Sequence, residues 1–252
     1  MSTKKIYFAS DAHLGARSIQ NPKEHEKKLV RWLDFIKHDA AAVYFMGDML
    51  DFWFEYKKTV PRGFVRFFGK LAELTDSGIE IHWFTGNHDI WIFDYIPKEL
   101  GVIVHKKPEE IRLGEKNFFL AHGDGLADKS KSFKIVRSLF HNRFCQRLFS
   151  CIHPRWAIGM AHAWSNHSRE NGENIPYLGE NNEFLVLFSK EYLKTHPDIH
   201  FFIFGHRHIL LDLMLAENSR IIILGDWISH FSYAAFDGEN LSLLLFENQT
   251  LY

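Results

Sequence analysis

With 252 residues, 46% of them hydrophobic, and a formal net charge of −1, the chain carries enough apolar side chains for one large core and lacks the basic excess that nucleic-acid partners leave in a composition. Cys145 and Cys151, six apart, match neither a CxxC redox motif nor a zinc hook, so two idle cytosolic thiols are expected. No apolar run approaches the roughly 18 residues of a membrane-spanning helix, and the apolar stretch after Met1-Ser-Thr-Lys-Lys is too brief for a signal peptide; the expected location is the cytoplasm, at most peripheral on the inner membrane.

Lys4 to Ser10 predicts a buried strand that gives out in Asp11-Ala12-His13-Leu14-Gly15. Asp11 and His13 stand two apart, so on an extended strand end they would point to one side. A helical pattern from about Pro22 to Lys37 follows, with Leu29, Trp32, Leu33 and Ile36 on one face, and returns the chain to a strand over Ala42 to Met46. That strand ends in Gly47-Asp48-Met49-Leu50-Asp51, a carboxylate directly after an apolar run, with a glycine before it that allows a tight turn. A third cycle, a helix around Gly63 to Thr75 and a strand Ile79 to Phe84, delivers Thr85-Gly86-Asn87-His88-Asp89. Three strand-helix units in a row predict a parallel sheet with right-handed crossovers, whose ligands gather outside the carboxyl ends of the strands.

After a short strand near Val102 to Val104 the pattern changes to hairpin pieces, Glu110 to Leu113 and Asn117 to Ala121, the second ending in His122-Gly123-Asp124-Gly125. Ile199 to Phe204 ends in Gly205-His206-Arg207-His208. Runs at Leu210 to Leu215, Ile221 to Leu224, Ser232 to Phe236 and Leu241 to Phe246, with turn residues between them, predict a second, mainly antiparallel sheet packed on the first. The segment between, about 126–178, has another composition. Phe133, Val136, Phe140, Phe144, Leu148 and Trp156 recur at helical spacing, and residues 128–170 hold eight Lys and Arg against two Asp and Glu, a local +6 that leaves −7 for the rest of a −1 chain.

The polar strand ends collect Asp11, His13, Asp48, Asn87, His122, His206 and His208. Carboxylate and amide oxygens with imidazole nitrogens, and no thiolate, suit Mn²⁺, Fe²⁺, Zn²⁺ or Co²⁺. Seven such donors exceed what one tetrahedral ion takes and are enough for two, the arrangement that clamps a phosphoryl displacement. No GxSxG, HExxH or GxGxxG appears, and Gly63 to Lys70 has five residues between its glycines where a Walker loop has four.

Asp11-x-His13, Gly47-Asp48, Gly86-Asn87-His88-Asp89, His122-Gly123-Asp124 and Gly205-His206-x-His208 together resemble the five ordered blocks of the calcineurin-like metallophosphoesterases. The resemblance implies an α/β fold, a four-layer αββα sandwich with two central mixed sheets, here a single domain with a helical lid insert at about 126–178. It also implies roles. Asp11, His13 and His208 would hold one cation, Asn87, His122 and His206 a second, and Asp48 would bridge them, with Mn²⁺ expected at both positions. His88 would stabilise the phosphoryl oxygens or protonate the leaving group, with Asp89 orienting it.

A narrower likeness concerns substrate. Gly47-Asp48-Met-Leu-Asp51-Phe52-Trp53-Phe54-Glu55, the insert after His122-Gly123-Asp124, and Leu224-Gly225-Asp226-Trp227 are similar to the UDP-2,3-diacylglucosamine pyrophosphohydrolases of lipid A synthesis. That family releases UMP and 2,3-diacylglucosamine 1-phosphate. Its best-known branch has Arg where this chain has His88, the residue of the wider superfamily. An aromatic, basic insert suits two acyl chains, a pyrophosphate and an anionic membrane surface. Ser165 and Arg169, four apart and so neighbours on a helix face, are the candidate sugar and phosphate contacts. Asp51, Trp53 and Trp227 are expected to be scaffold. Two other readings keep the same scaffold: a dimetal phosphoesterase acting on a soluble nucleotide or phosphoprotein, and a non-catalytic binding module.

Overall fold

A computed structural model of the chain describes residues 4–126, 138–160 and 176–246. Its first sheet holds six strands in the order β11-β10-β1-β2-β3-β4, where β1 is Lys5–Ala9, β2 Ala40–Phe45, β3 Glu80–Phe84, β4 Ile103–His105, β10 Ser232–Phe236 and β11 Leu241–Leu245. The second holds five, β5-β6-β7-β9-β8, with β5 Glu109–Leu113, β6 Lys116–Leu120, β7 Ile199–Phe204, β8 Leu210–Ala216 and β9 Ser219–Leu224.

The continuous apolar runs of these strands are explained by burial on both faces. On β1, Tyr7 and Ala9 face the helices α1 (Pro22–Ile36) and α2 (Val65–Asp76), whereas Phe8 faces the second sheet. β7 divides the same way, with Phe201 and Ile203 between the sheets and Phe202 and Phe204 on the far side. The period of two thus sorts one apolar run into two cores. Helices α1, α2 and α3 (Tyr95–Leu100) cover one outer face and α5 (Phe184–Leu193) the other, giving four layers.

Two local devices set the helices in place. Glu26 of α1 accepts from Arg66 N at 2.9 Å and Phe67 N at 3.1 Å, capping α2. Glu55 accepts from Phe93 N, Asp94 N, Tyr95 N and Ile96 N at 2.6–3.4 Å, so α3 begins on a buried carboxylate. Neither α3 nor α5 was expected from the sequence: α3 is six residues long and contains Pro97, and α5 is apolar nearly all round, which hides its period.

The second sheet corrects the mainly antiparallel reading of the strand pattern and agrees with the mixed sheet that the family resemblance implied. It is mixed, because β6, β7 and β9 run parallel to one another while only β5 and β8 pair antiparallel at its edges. The last two strands leave it altogether. β10 pairs antiparallel with β1 and β11 completes the first sheet; every residue of β10 is buried, as a strand flanked on both sides and covered on both faces requires.

Within the insert, the described residues are helical at 138–141, in α4 (Arg143–Ser150) and at 154–160. Asn142 caps α4 through its Oδ1, which accepts from Phe144 N at 2.8 Å. Phe140, Phe149 and Ile158 pack against an aromatic shelf of Phe52, Phe54 and Trp91, and Trp91 Nε1 donates to Phe140 O at 2.9 Å. Among the described residues no helix is long and apolar enough to cross a membrane.

Candidate metal centre

The polar ends of β1, β2, β3, β6 and β7 meet at one edge of the sandwich. Five of the residues singled out there sit in the left-handed region, Asp11, His13, Asp48, His206 and His208, with φ between 42° and 66°. Asp11 and His13 therefore converge through a left-handed turn, and the extended strand end expected from their spacing is absent. Such backbone costs about 1–3 kcal/mol per residue and persists only where the surroundings enforce it. The surroundings here are tight. A Cβ on Gly86 would stand 2.1 Å from Asp48 Oδ1, and one on Gly205 would stand 2.4 Å from Asp11 Oδ2. These glycines let two backbones close on the carboxylates.

The side chains form two groups joined by Asp48. In the first, His13 Nε2 and His208 Nε2 are 3.3 Å apart, and Asp11 Oδ1 lies 3.8 Å from the former and 3.3 Å from the latter. In the second, His122 Nε2 is 3.2 Å from Asn87 Oδ1, and Asp48, His122 and His206 bring their donor atoms within 4.8 Å of one another. Asp48 Oδ2 faces both groups, 3.1 Å from His122 Nε2 and 3.9 Å from His13 Nε2. Buried oxygen and nitrogen donors gathered around two common points, with one carboxylate oxygen shared, fit two divalent cations.

Other atoms fix how the donors point. His122 Nδ1 donates to Met46 O at 2.8 Å, which leaves Nε2 free to face inward. Behind His13, Asp51 Oδ1 stands 3.6 Å from Nδ1; behind His208, Asp226 Oδ2 stands 3.6 Å from Nδ1. Asp226 is itself held by Ile228 N at 2.8 Å and Ser229 N at 2.6 Å. Sequence reading placed Asp51 with the scaffold and gave Asp226 no role at the site. The signal was available for Asp226, a carboxylate two residues past the end of apolar β9. The loop between His206 and His208 is anchored by Arg207, whose guanidinium makes a two-pronged bond to buried Glu183 at 2.8 and 3.0 Å.

Without cations the cluster balances its charge with protons. Burial disfavours charge on His208, but Asp11 and Asp226 raise its pKa to about 10. Burial likewise opposes charge on His122, and Asp48 nevertheless holds it well above the usual imidazole range. His206 goes the other way, drawn down to about 4 by burial and by neighbouring His122. Metal loading of this cluster must therefore displace protons.

His88 and Asp89 do not pair as expected. Asp89 is fully buried and accepts from Gly86 N at 2.7 Å, Met49 N at 3.0 Å and Trp83 Nε1 at 3.0 Å, which makes it a brace for the loop. Burial, and then the Asp48 carboxylate, raise its pKa to about 6. The His88 ring is instead oriented by the Asp51 carbonyl, to which Nδ1 donates at 3.0 Å, and it stands edge-on to His13 with centroids 4.7 Å apart. Its backbone N–H donates to Asp48 Oδ1 at 2.8 Å. Ser165 and Arg169 lie outside the described residues. Trp53 and Trp227 are wholly buried, as scaffold residues should be. Beside the Asn87–His122 end runs a cleft lined by Thr85, His105, Lys106, Lys107 and Asp124.

The family description "calcineurin-like phosphoesterase" matches residues 4–210, and the chain belongs to that family. It is 48% identical over 252 residues to a UDP-2,3-diacylglucosamine hydrolase of Porphyromonas gingivalis, covering 95% of this chain and 96% of that one. A protein of the same description from Hamiltonella defensa is 30% identical over 202 residues, covering 80% and 76%. Among solved structures, the phosphoesterase Yfce of E. coli aligns with a TM-score of 0.46 at 16% identity, covering 98% of this chain and 95% of that one.

Proposed function

We propose that this protein hydrolyses the pyrophosphate bond of UDP-2,3-diacylglucosamine, giving UMP and 2,3-diacylglucosamine 1-phosphate. The observation that carries the reading is the 48% identity to the Porphyromonas gingivalis hydrolase, which extends over nearly the whole of both chains and so includes the insert. In the reaction, water adds to one phosphorus and the bond from that phosphorus to the bridging oxygen breaks.

Asp11, His13 and His208 would hold one cation and Asn87, His122 and His206 the other, with Asp48 shared, and Mn²⁺ leads Fe²⁺, Zn²⁺ and Co²⁺ as the ion expected. Two such ions supply Lewis-acid stabilisation of phosphoryl charge and a lowered pKa for attacking water. His88, whose Nδ1 donates to the Asp51 carbonyl, would turn Nε2 to a phosphoryl oxygen or the leaving group. Asp89 keeps the loop that presents Asn87 and His88 in shape through its three bonds.

The insert, about 126–178, acts as the lid over the acyl chains. Phe144, Leu148, Trp156 and Met160 are 56–69% exposed, beside Arg143, Arg147 and Arg155. Aromatic and aliphatic side chains next to arginines match an anionic bilayer surface, where the diacylated substrate resides, and a cytoplasmic, membrane-peripheral enzyme follows from that. Lys106 and Lys107 give the cleft beside His122 the charge to receive the anionic nucleotide half. The test is incubation with Mn²⁺ and UDP-2,3-diacylglucosamine, with release of UMP as the expected result. Turnover of a soluble nucleotide with no UMP from the acylated substrate would replace this substrate assignment and keep the phosphoesterase.

A further inference from the structure

The loop after β7 turns its residues alternately. His206 and His208 join the two groups of candidate ligands, while Arg207 between them is buried on the side of α5. Both histidines lie in the left-handed region, with φ of 66° and 51°, a conformation that lasts only where neighbours impose it. One such neighbour is Asp11, whose Oδ2 accepts from His206 N at 3.0 Å. The other is Glu183, wholly buried just ahead of α5, which accepts from Arg207 Nε at 2.8 Å and Nη2 at 3.0 Å. Glu183 stands where a helix cap would stand, yet its side chain makes no capping bond; the carboxylate is given to Arg207. Desolvation of both ions offsets much of their attraction, so such a pair adds little stability, but a two-pronged fork fixes an angle.

The first turn of α5 meets the site at two further points. Phe184 stands edge-on to the His206 ring, with centroids 6.4 Å apart. A Cβ on Gly123, next to His122, would lie 3.3 Å from His206 Cβ and 3.5 Å from Leu185 Cδ1. The same turn is joined to the end of the insert, because Glu183 N donates to Gly179 O at 2.9 Å and Arg207 Nη2 to Pro176 O at 3.5 Å. We propose that Arg207 and Glu183 are positioning residues that tie the root of the insert to the metal centre, so that loading of the cations and ordering of residues 176–187 form one linked equilibrium. Linkage is reciprocal: what stiffens His206 and His208 stiffens the first turn of α5, and the converse. This rests on the dimetal reading above.

The test is amide hydrogen exchange of the metal-stripped full-length protein with and without Mn²⁺, beside calorimetric titration with the ion. In the wild type, Mn²⁺ should slow exchange at 179–187, where Glu183 N and Leu187 N are bonded to Gly179 O and Glu183 O, by more than it does in edge strand β8, which carries no candidate ligand. The variant combines Arg207→Met with Glu183→Gln, which leaves no lone buried charge and keeps similar side-chain length. Its Mn²⁺ affinity should fall roughly tenfold, the scale on which outer partners of metal ligands act. Mn²⁺ should then no longer slow exchange at 179–187 while still slowing it at residues 85–89. Circular dichroism checks that the stripped variant is folded, and the wild-type exchange decides without the variant. No added slowing at 179–187 in the wild type overturns the link. A variant that melts lower yet binds Mn²⁺ with wild-type affinity makes the pair merely structural and overturns it as well. Wild type that binds no Mn²⁺ at all overturns the metal reading and this inference with it.

Discussion

The metal centre and the insert are built on opposite plans. At the strand ends the polar side chains turn inward and the apolar chain is elsewhere: Asp11, His13, Asp48 and His122 are buried, each with a named partner, and the first three stand on backbone that the paired sheets hold in the left-handed region. In the described part of the insert several large apolar side chains turn outward. α4 has no buried residue at all, and its Phe144 and Leu148, one helical turn apart, are both exposed. Among the described residues the insert meets the body on an aromatic shelf of Phe52, Phe54 and Trp91 that grows from the same loops as Asp48 and Asn87. The proposed function assigns the chemistry to the buried frame and substrate recognition to this outward surface of the insert.

If that division holds, substitutions in the two regions should fail in different ways. The largest effect is expected from Asp48→Ala, which removes the one oxygen facing both groups. Turnover should fall on the order of 10⁴-fold with metal content lost together with it, on acylated and soluble substrates alike. His88→Ala should lower turnover roughly 10²- to 10³-fold with both ions retained. Metal analysis of the two purified variants separates the roles, and equal loss of metal in both would place His88 among the ligands.

A smaller effect concerns stability in the absence of cations. His208 in the folded protein has its pKa raised to about 10 from 6.5, so its ion pair with Asp11 and Asp226 contributes stability that is complete below pH 6.5 and is lost as pH rises toward 10. The metal-stripped protein should therefore lose on the order of 2 kcal/mol across that window in chemical denaturation. The Mn²⁺-loaded protein, in which the ion stands where the proton stood, should lose less. A flat profile for the stripped protein would mean that His208 is not charged in the fold.

How much of this was legible in the sequence follows the same division. The candidate donors could be read because each follows an apolar strand, and the strands could be read because burial on both faces makes their apolar runs continuous, as in the Phe201 to Phe204 run of β7. Pairing order could not. Nothing local in Ser232 to Phe236 says that the strand inserts beside β1, since a run of buried residues suits any central position. The family resemblance implied that Asp89 orients His88, but a carboxylate that must satisfy the donors of Gly86, Met49 and Trp83 has its oxygens already committed. Asp51 and Asp226 were passed over because a residue that acts through another residue's outer nitrogen is identified only by the fold that brings them together.

The smallest expected effect is the one that tests the insert by itself. Phe144→Asp combined with Leu148→Asp places two charges on a face that is already exposed, so among the described residues the fold has little packing there to lose. Removing two apolar anchors and opposing Arg143 and Arg147 with new carboxylates should weaken attachment to an anionic bilayer. Hydrolysis of UDP-2,3-diacylglucosamine in anionic vesicles should then fall about tenfold, equivalent to ~1.4 kcal/mol, while cleavage of a small chromogenic phosphodiester stays at the wild-type rate. The soluble substrate is the informative control. If both activities fell together, the outward apolar face would be supporting the strand ends, and the separation between a rigid centre and a recognition surface would not describe this molecule. If neither moved, the acyl chains would be held by the inner face of the insert, where Phe140 and Phe149 meet the shelf, and Phe149→Ala would be the substitution to separate lipid from soluble substrate.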